Sequence, residues 1–375
     1  RQIRDIERAK GSGQVKTVSQ GEKINREILS QSLMAKEKIK KGALFTDENL
    51  TVKSPGKGAP AYMKESFIGK TAPHDYKPGE FLFPTDLQQQ IRAKNQYDFD
   101  RPWGVPVRFH DFEKIAQTSS PDLVEFHLSY KDLDVSVSDY LTGPYDMDFI
   151  VHAPELFEGD HILDLTTFDE EYLERSTYEL RRVIQLTQLL KTYFPNTKRP
   201  QIIVNMGGFT LNAPLPPNKR GRYYDRLQNN LKKIDQSGIE LLPQTMPPYP
   251  WHFGGQRYQN LFLDADEIEK FCQETGLRIC LDTSHSKLAC NQNGESFQRF
   301  VEKVGPYTAH LHIVDAEGVD GEGLQIQEGE IDFFSLAKNL NLTSPTSSFI
   351  PEIWQGHKNS GEGFWQALSR LEKWF

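Results

Sequence analysis

The chain has 375 residues, 37% of them hydrophobic, and sets 44 Lys and Arg against 52 Asp and Glu for a net charge of −8. Its mean hydropathy is −0.60, and no stretch approaches the roughly 18 apolar residues of a membrane span, which argues against a membrane-embedded protein. Three cysteines (Cys272, Cys280, Cys290) make no disulfide framework and no apolar signal segment opens the sequence, so a cytoplasmic location is expected. The length suits one large domain with a small companion, or two to three domains. Residues 1–87 are net basic and the remainder strongly acidic, so the larger part lacks the basic surface of a sequence-independent nucleic-acid binder.

In chain order, Ile3, Ile6 and Ala9 have helical spacing, and Gly11-Ser12-Gly13 supplies a stop. Residues 14–28 are polar and unpatterned and read as a linker. From Ser32 to Leu87, short β segments at Leu33–Ala35, Ala43–Phe45, Leu50–Val52, Gly69–Thr71 and Phe81–Phe83 alternate with turns such as Lys41-Gly42, Pro55-Gly56 and Pro78-Gly79. This gives a small β-rich domain over 31–87, after a helix and linker over 1–30. A second linker over 88–102 contains Gln88-Gln89-Gln90.

From residue 103 to 375 the rhythm becomes apolar runs alternating with helical patterns. Expected strands are Val105–Phe109, Leu123–Leu128, Phe149–His152, Gln201–Asn205, Ile239–Pro243, Arg278–Leu281, Ala309–Val314 and Phe349–Ile353. Helices are expected over Tyr172–Tyr193, Tyr223–Ser237, Ala265–Glu274 and Phe364–Trp374. Eight β/α units fit a closed parallel (β/α)8 TIM barrel of α/β class. An open doubly wound sheet is the alternative, but no Gly-rich phosphate fingerprint follows a strand.

Catalytic side chains of such barrels project from the C-terminal strand ends. Those ends read His110-Asp111, Glu125 with His127, His152, Asn205, Gln244, Asp282 with His285, His310 with His312, and Glu352. Every end carries a polar or ionisable group, which points to a convergent site. Asp282, His312 and Glu352 join hard carboxylates to an imidazole, a set acceptable to Mn, Co, Zn or Mg, and Gln244 adds a neutral amide oxygen. Such a metal would polarise a carbonyl or hydroxyl while Glu352 moves a proton. His285 and His152 are candidates for orienting substrate, with Glu125, His127, Asn205 and His310 beside them. Residues 245–255 are rich in Pro, Gly and aromatics; Trp251 offers a face for stacking on a ligand, and a rigid surface loop packed on its own side chains explains the composition equally well.

The runs Val151-His152-Ala153-Pro154, Cys280-Leu281-Asp282-Thr283-Ser284-His285, His310-Leu311-His312-Ile313-Val314-Asp315, Glu328-Gly329-Glu330-Ile331-Asp332-Phe333 and Pro351-Glu352 resemble the xylose-isomerase-like barrel superfamily. That group holds sugar and sugar-phosphate isomerases and epimerases together with a DNA-repair endonuclease type. The resemblance implies one divalent metal held by residues matching Gln244, Asp282, His312 and Glu352. Gln244 stands where that pattern has Glu, and an amide cannot serve as a base, so Glu352 is left as the single matched acid/base. The endonuclease pattern is missing that Glu, a His at Asn205 and an Asp-x-His pair at Asp320-Gly321-Glu322, so no nucleic-acid partner is expected.

Residues 30–87 carry the phrases Ser32-Leu33-Met34-Ala35, Ile39-Lys40-Lys41-Gly42, Phe45-Thr46-Asp47-Glu48-Asn49-Leu50 and Val52-Lys53-Ser54-Pro55-Gly56, and resemble the antifreeze-like (SAF) domain of the sialic acid synthase family. Ile3–Gly13 resembles the last barrel helix of those synthases. The resemblance implies a phosphoenolpyruvate- and metal-binding barrel upstream of Arg1, a homodimer, and amino-sugar contacts near Lys53 and Lys57. Ser54 occupies the position of that family's Arg, and a lysine ammonium lacks its planar fork. The combined expectation is part of a bifunctional enzyme of nonulosonic acid biosynthesis, acting on a sugar or sugar phosphate. A barrel that has lost chemistry and binds sugar or stabilises a dimer is the alternative.

Overall fold

The computed structural model describes residues 20–87, 93–250 and 257–375, and Ile6. The expected helix of residues 1–10 is otherwise outside the described residues, as is Trp251. The chain divides into two compact units, residues 1–89 and 90–375.

In the first unit, Gln20–Leu29 forms an α-helix, so residues 20–28 of the expected linker are helical, while residues 14–19 lie outside the described residues. Its residues lack an apolar run but carry Glu22 in the first turn and Arg26 in the last, which complement the helix dipole. Strand β1 (Ser32–Ala35) pairs antiparallel with β2 (Leu50–Lys53), Leu33 opposite Val52 and Ala35 opposite Leu50. The segments expected as strands around Leu44, Thr71 and Phe81 make only single bridges, Leu44 with Thr71 and Met34 with Phe81. The frequent turns keep these pairings short, with Phe45 N–H donating to Lys70 O at 2.9 Å and Ala72 N–H to Ala43 O at 2.8 Å. Phe45 is fully buried and meets Phe67 and Tyr76 edge-on at 5.6 Å each.

The second unit is a closed barrel. Strands β3 (Gly104–Val107), β4 (Leu123–His127), β5 (Asp148–His152) and β6 (Gln201–Val204) run in parallel order and continue to β8 (Glu240–Pro243). Between them, the two-residue β7 (Phe209–Thr210) pairs antiparallel with β9 (Tyr258–Gln259). A second parallel group holds β10 (Ile279–Asp282), β11 (Thr308–His312) and β14 (Ser348–Ile350), interrupted by the β12 (Asp315–Glu317) and β13 (Gly321–Leu324) hairpin. Parallel bridges Gln244–Cys280 and Trp103–Phe349 join the groups at both seams and close the ring of eight. The prominent helices between strands are Glu170–Leu190, Pro217–Leu231, Ala265–Thr275, Thr283–Asn293, Phe297–Val304 and Phe333–Thr343, and Lys358–Leu371 follows the last strand.

The two-residue period of a strand sorts the side chains. Leu123, Ile150, Ile203, Leu242, Cys280 and Ile350 form one buried cluster. Two residues further along the same face come Glu125, His152, Asn205, Gln244, Asp282 and Glu352. The intervening positions, such as Val124, Phe126, Val151, Ile202 and Leu281, belong to the larger core that includes the helices. An apolar floor therefore lies beneath a polar layer. Asp315, which ends the His310–Asp315 run, is fully buried and accepts the N–H groups of Ala316 (2.8 Å), Gly329 (2.9 Å) and Ile331 (3.0 Å). It clamps the Glu328–Asp332 turn, which accounts for that motif structurally.

Candidate active site

Asp282 ends β10 and caps the helix that follows at once, its Oδ1 accepting the His285 N–H at 2.8 Å. That leaves Oδ2 buried without a hydrogen-bond partner, 3.5 Å from His312 Nδ1. Burial works against its charge, yet His285 and His312 hold the carboxyl down to about 2. His312 is fully buried, with Nδ1 2.6 Å from Glu352 Oε2 and 3.1 Å from Gln244 Nε2. Burial disfavours its imidazolium, but the surrounding acidic groups, Glu125, Glu352 and Asp282 among them, hold its pKa well above the usual value. Glu352 is pushed up by burial, with His312 opposing.

His152 donates Nδ1–H to its neighbour's carbonyl, Ala153 O, at 2.9 Å, and its Nε2 is 3.2 Å from Gln244 Oε1. Burial, followed by the charge of His127, lowers its pKa, so the ring is neutral and Nε2 carries a lone pair. Hydrogen-bond chemistry therefore favours the Gln244 amide turned over, with its NH2 on His152 and its oxygen toward His312. Among the described residues, two groups have nitrogen and oxygen atoms close enough together to hold a metal ion: His152, His312 and Glu352, and the fully buried Glu125, His310 and His312.

His285 sits one shell away. Its Nδ1 is 2.9 Å from Thr245 O and its Nε2 is 3.0 Å from Glu322 Oε1. Burial opposes its charge, but Asp282 and Glu322 raise it to about 10, so both nitrogens donate and both are occupied. Glu322 is brought there by the β12–β13 hairpin. Only its place in a broken motif drew notice in the sequence, since a residue on an irregular hairpin has no strand-end signal. Glu155, just past the Val151–Pro154 run, was missed too; burial raises its pKa, with His152 opposing, and Glu352, His285 and His127 are in electrostatic range.

The remaining expected residues divide. His127 has Nε2 2.7 Å from Glu125 Oε1 and Nδ1 3.7 Å from Glu352 Oε1, and its ring stacks 4.9 Å from His152. Glu125 and His310, expected beside the substrate, are fully buried beneath the rim. Asn205 turns its Oδ1 to the Gly207 N–H at 3.1 Å, while its Nδ2 is buried and unpartnered. His110 is exposed, and Asp111 accepts the Arg108 N–H at 2.7 Å, so the first strand end serves a turn rather than the site. Lys53 and Lys57 are exposed in the first unit.

A family model described as a xylose isomerase-like TIM barrel matches residues 112–374. The chain belongs to this family. A SAF domain model matches residues 30–88. N,N'-diacetyllegionaminic acid synthase of Campylobacter jejuni is 44% identical over 81 residues, covering 22% of this chain and 24% of that protein. An uncharacterized protein of Methanocaldococcus jannaschii is 31% identical over 114 residues, 30% of this chain and 39% of its own length. The chain thus spans only about a quarter to two fifths of these curated relatives. The solved structure of a D-allulose 3-epimerase from Methylomonas sp. superposes with a TM-score of 0.52 at 13% identity, covering 76% of this chain and 100% of the other, a likeness of fold.

Proposed function

We propose that the barrel of this xylose isomerase-like protein is a metal-dependent isomerase or epimerase-like domain acting on a sugar or sugar phosphate. The observation that carries this reading is Asp282 Oδ2, buried and unpartnered beside His312 Nδ1 in a polar layer shared with Gln244 and Glu352. The donor set fits a divalent ion of the Mn, Co, Zn or Mg group, held by Gln244, Asp282, His312 and Glu352. When bound, the ion would polarise a substrate carbonyl or hydroxyl. Glu352, whose pKa burial raises with His312 opposing, moves the proton at the carbon beside that carbonyl. His152 and His127 line the same face, and the His285 imidazolium fixes Asp282 electrostatically. With an amide at residue 244 there is one matched base, which favours transfer by a single carboxylate over two-faced exchange.

The SAF region's similarity to a legionaminic acid synthase supports placing this chain in nonulosonic acid biosynthesis, with the barrel acting on a related sugar. A second reading, a sugar-binding barrel without chemistry, is favoured by the same Gln244 amide, which bridges His152 and His312 without any ion.

Elemental analysis of the purified protein, beside an Asp282→Asn/Glu352→Gln double variant, tests the proposal. About one equivalent of divalent metal, lost in the variant, is expected. No uptake even after incubation with Mn²⁺, together with sugar binding that survives the double substitution, would overturn it in favour of the binding module.

A further inference from the structure

We infer that Glu125 is the positioning residue of the metal centre, accepting the Nε2–H of His312 so that His312 Nδ1 is left as the ligand. The inference rests on the metal reading above. Glu125 is on β4 and His312 on β11, strands that are not neighbours in the ring, so the contact is made across the barrel interior. His312 Nε2 is 3.1 Å from Glu125 Oε1 and 3.2 Å from Oε2. The opposite nitrogen faces Glu352, Asp282 and Gln244. The ring thus has one side for an ion and one side for a carboxylate.

An ionised carboxylate can only accept. A bare Nε2 would set a lone pair against it in a fully buried place, where such a clash is least screened. Nε2 must therefore carry the proton, and in the neutral ring Nδ1 carries the lone pair. Three imidazole nitrogens, of His312, His127 and His310, lie within 3.1 Å of this one fully buried carboxyl, an arrangement suited to a carboxylate that accepts. His127 Nε2 lies 2.7 Å and His310 Nε2 2.9 Å from the same carboxylate, and His310 Nδ1 is hydrogen-bonded to Ser348 Oγ at 2.7 Å. A carboxylate behind a histidine ligand fixes ring orientation and tautomer, and losing such a partner typically weakens metal binding 10–100-fold.

The test is a titration with Mn²⁺ or Zn²⁺ alone, read by competition with a chelating dye, on the full chain and its Glu125→Gln variant. Two-bond 1H–15N spectra of the wild type, with His312→Gln for assignment, read the tautomer directly. Expected are one equivalent bound by the wild type, 10–100-fold weaker binding by Glu125→Gln, and a protonated His312 Nε2 with and without Zn²⁺. Unchanged affinity in the variant, or a bare Nε2, overturns the inference. So does a second equivalent removed by Glu125→Gln, which would make Glu125 a ligand. If the variant does not fold, the wild-type tautomer decides. A wild type that takes up no metal overturns the underlying reading itself, and its own titration tells that failure from the others.

Discussion

Raising the pH on metal-free protein should expose the proton that the fold holds on His285. Its Nδ1–H goes to Thr245 O at 2.9 Å and its Nε2–H to Glu322 Oε1 at 3.0 Å, with Asp282 Oδ2 3.6 Å from Nδ1. Burial disfavours the imidazolium, but Asp282 and then Glu322 outweigh it and lift the pKa from 6.5 to about 10. The unfolded chain releases this proton near 6.5 and the folded one keeps it to about 10, so the stabilisation is complete below 6.5 and is lost as pH rises through that window. One proton of difference gives a slope of about 1.4 kcal/mol per pH unit, or about 2 kcal/mol between pH 7.5 and 9. All 5 tryptophans lie in the barrel unit, so urea unfolding followed by tryptophan fluorescence reports on it. Measured with EDTA at both pH values, wild type should lose about 2 kcal/mol more than His285→Gln. The buried thiols contribute to both proteins, and the difference removes them. Parallel pH dependences in the two proteins would refute the imidazolium assignment.

Gln244→Glu adds a charge beside Asp282 and Glu352 and should tighten Mn²⁺ binding by about tenfold or more in the same dye titration; weaker binding would show that residue 244 faces away from the ion. Gly207→Ala should lower barrel stability by about 2 kcal/mol or more, measured by urea unfolding, because its φ is +94° and a Cβ would lie 2.1 Å from Asp164 Oδ1. Trp365→Ala, truncating one of the largest fully buried side chains, should cost about 3–5 kcal/mol and lower the midpoint of thermal unfolding.

What the sequence determined by itself was the alternation. Eight apolar runs, each ending in polar groups at a fixed parity, dictate a parallel barrel with an apolar floor and a polar rim, because strand side chains change face at every residue. That alternation places Gln244, Asp282, His312 and Glu352 at strand ends facing one interior. The sequence could also locate the turns of the small β-rich domain, since Gly and Pro mark them locally, though not which segments would form ladders. Parity could not rank depth within a strand. Glu125 and His127 have the same parity, yet the first is sealed in the interior and the second borders the site, a difference set by barrel closure rather than by any local pattern. Tertiary structure alone also joined Glu322 to His285 through an irregular hairpin and turned Asp315 inward as a turn clamp. These contacts link residues 14 to 187 positions apart, and their energy comes from excluding water around buried charges, which only the closed barrel can do.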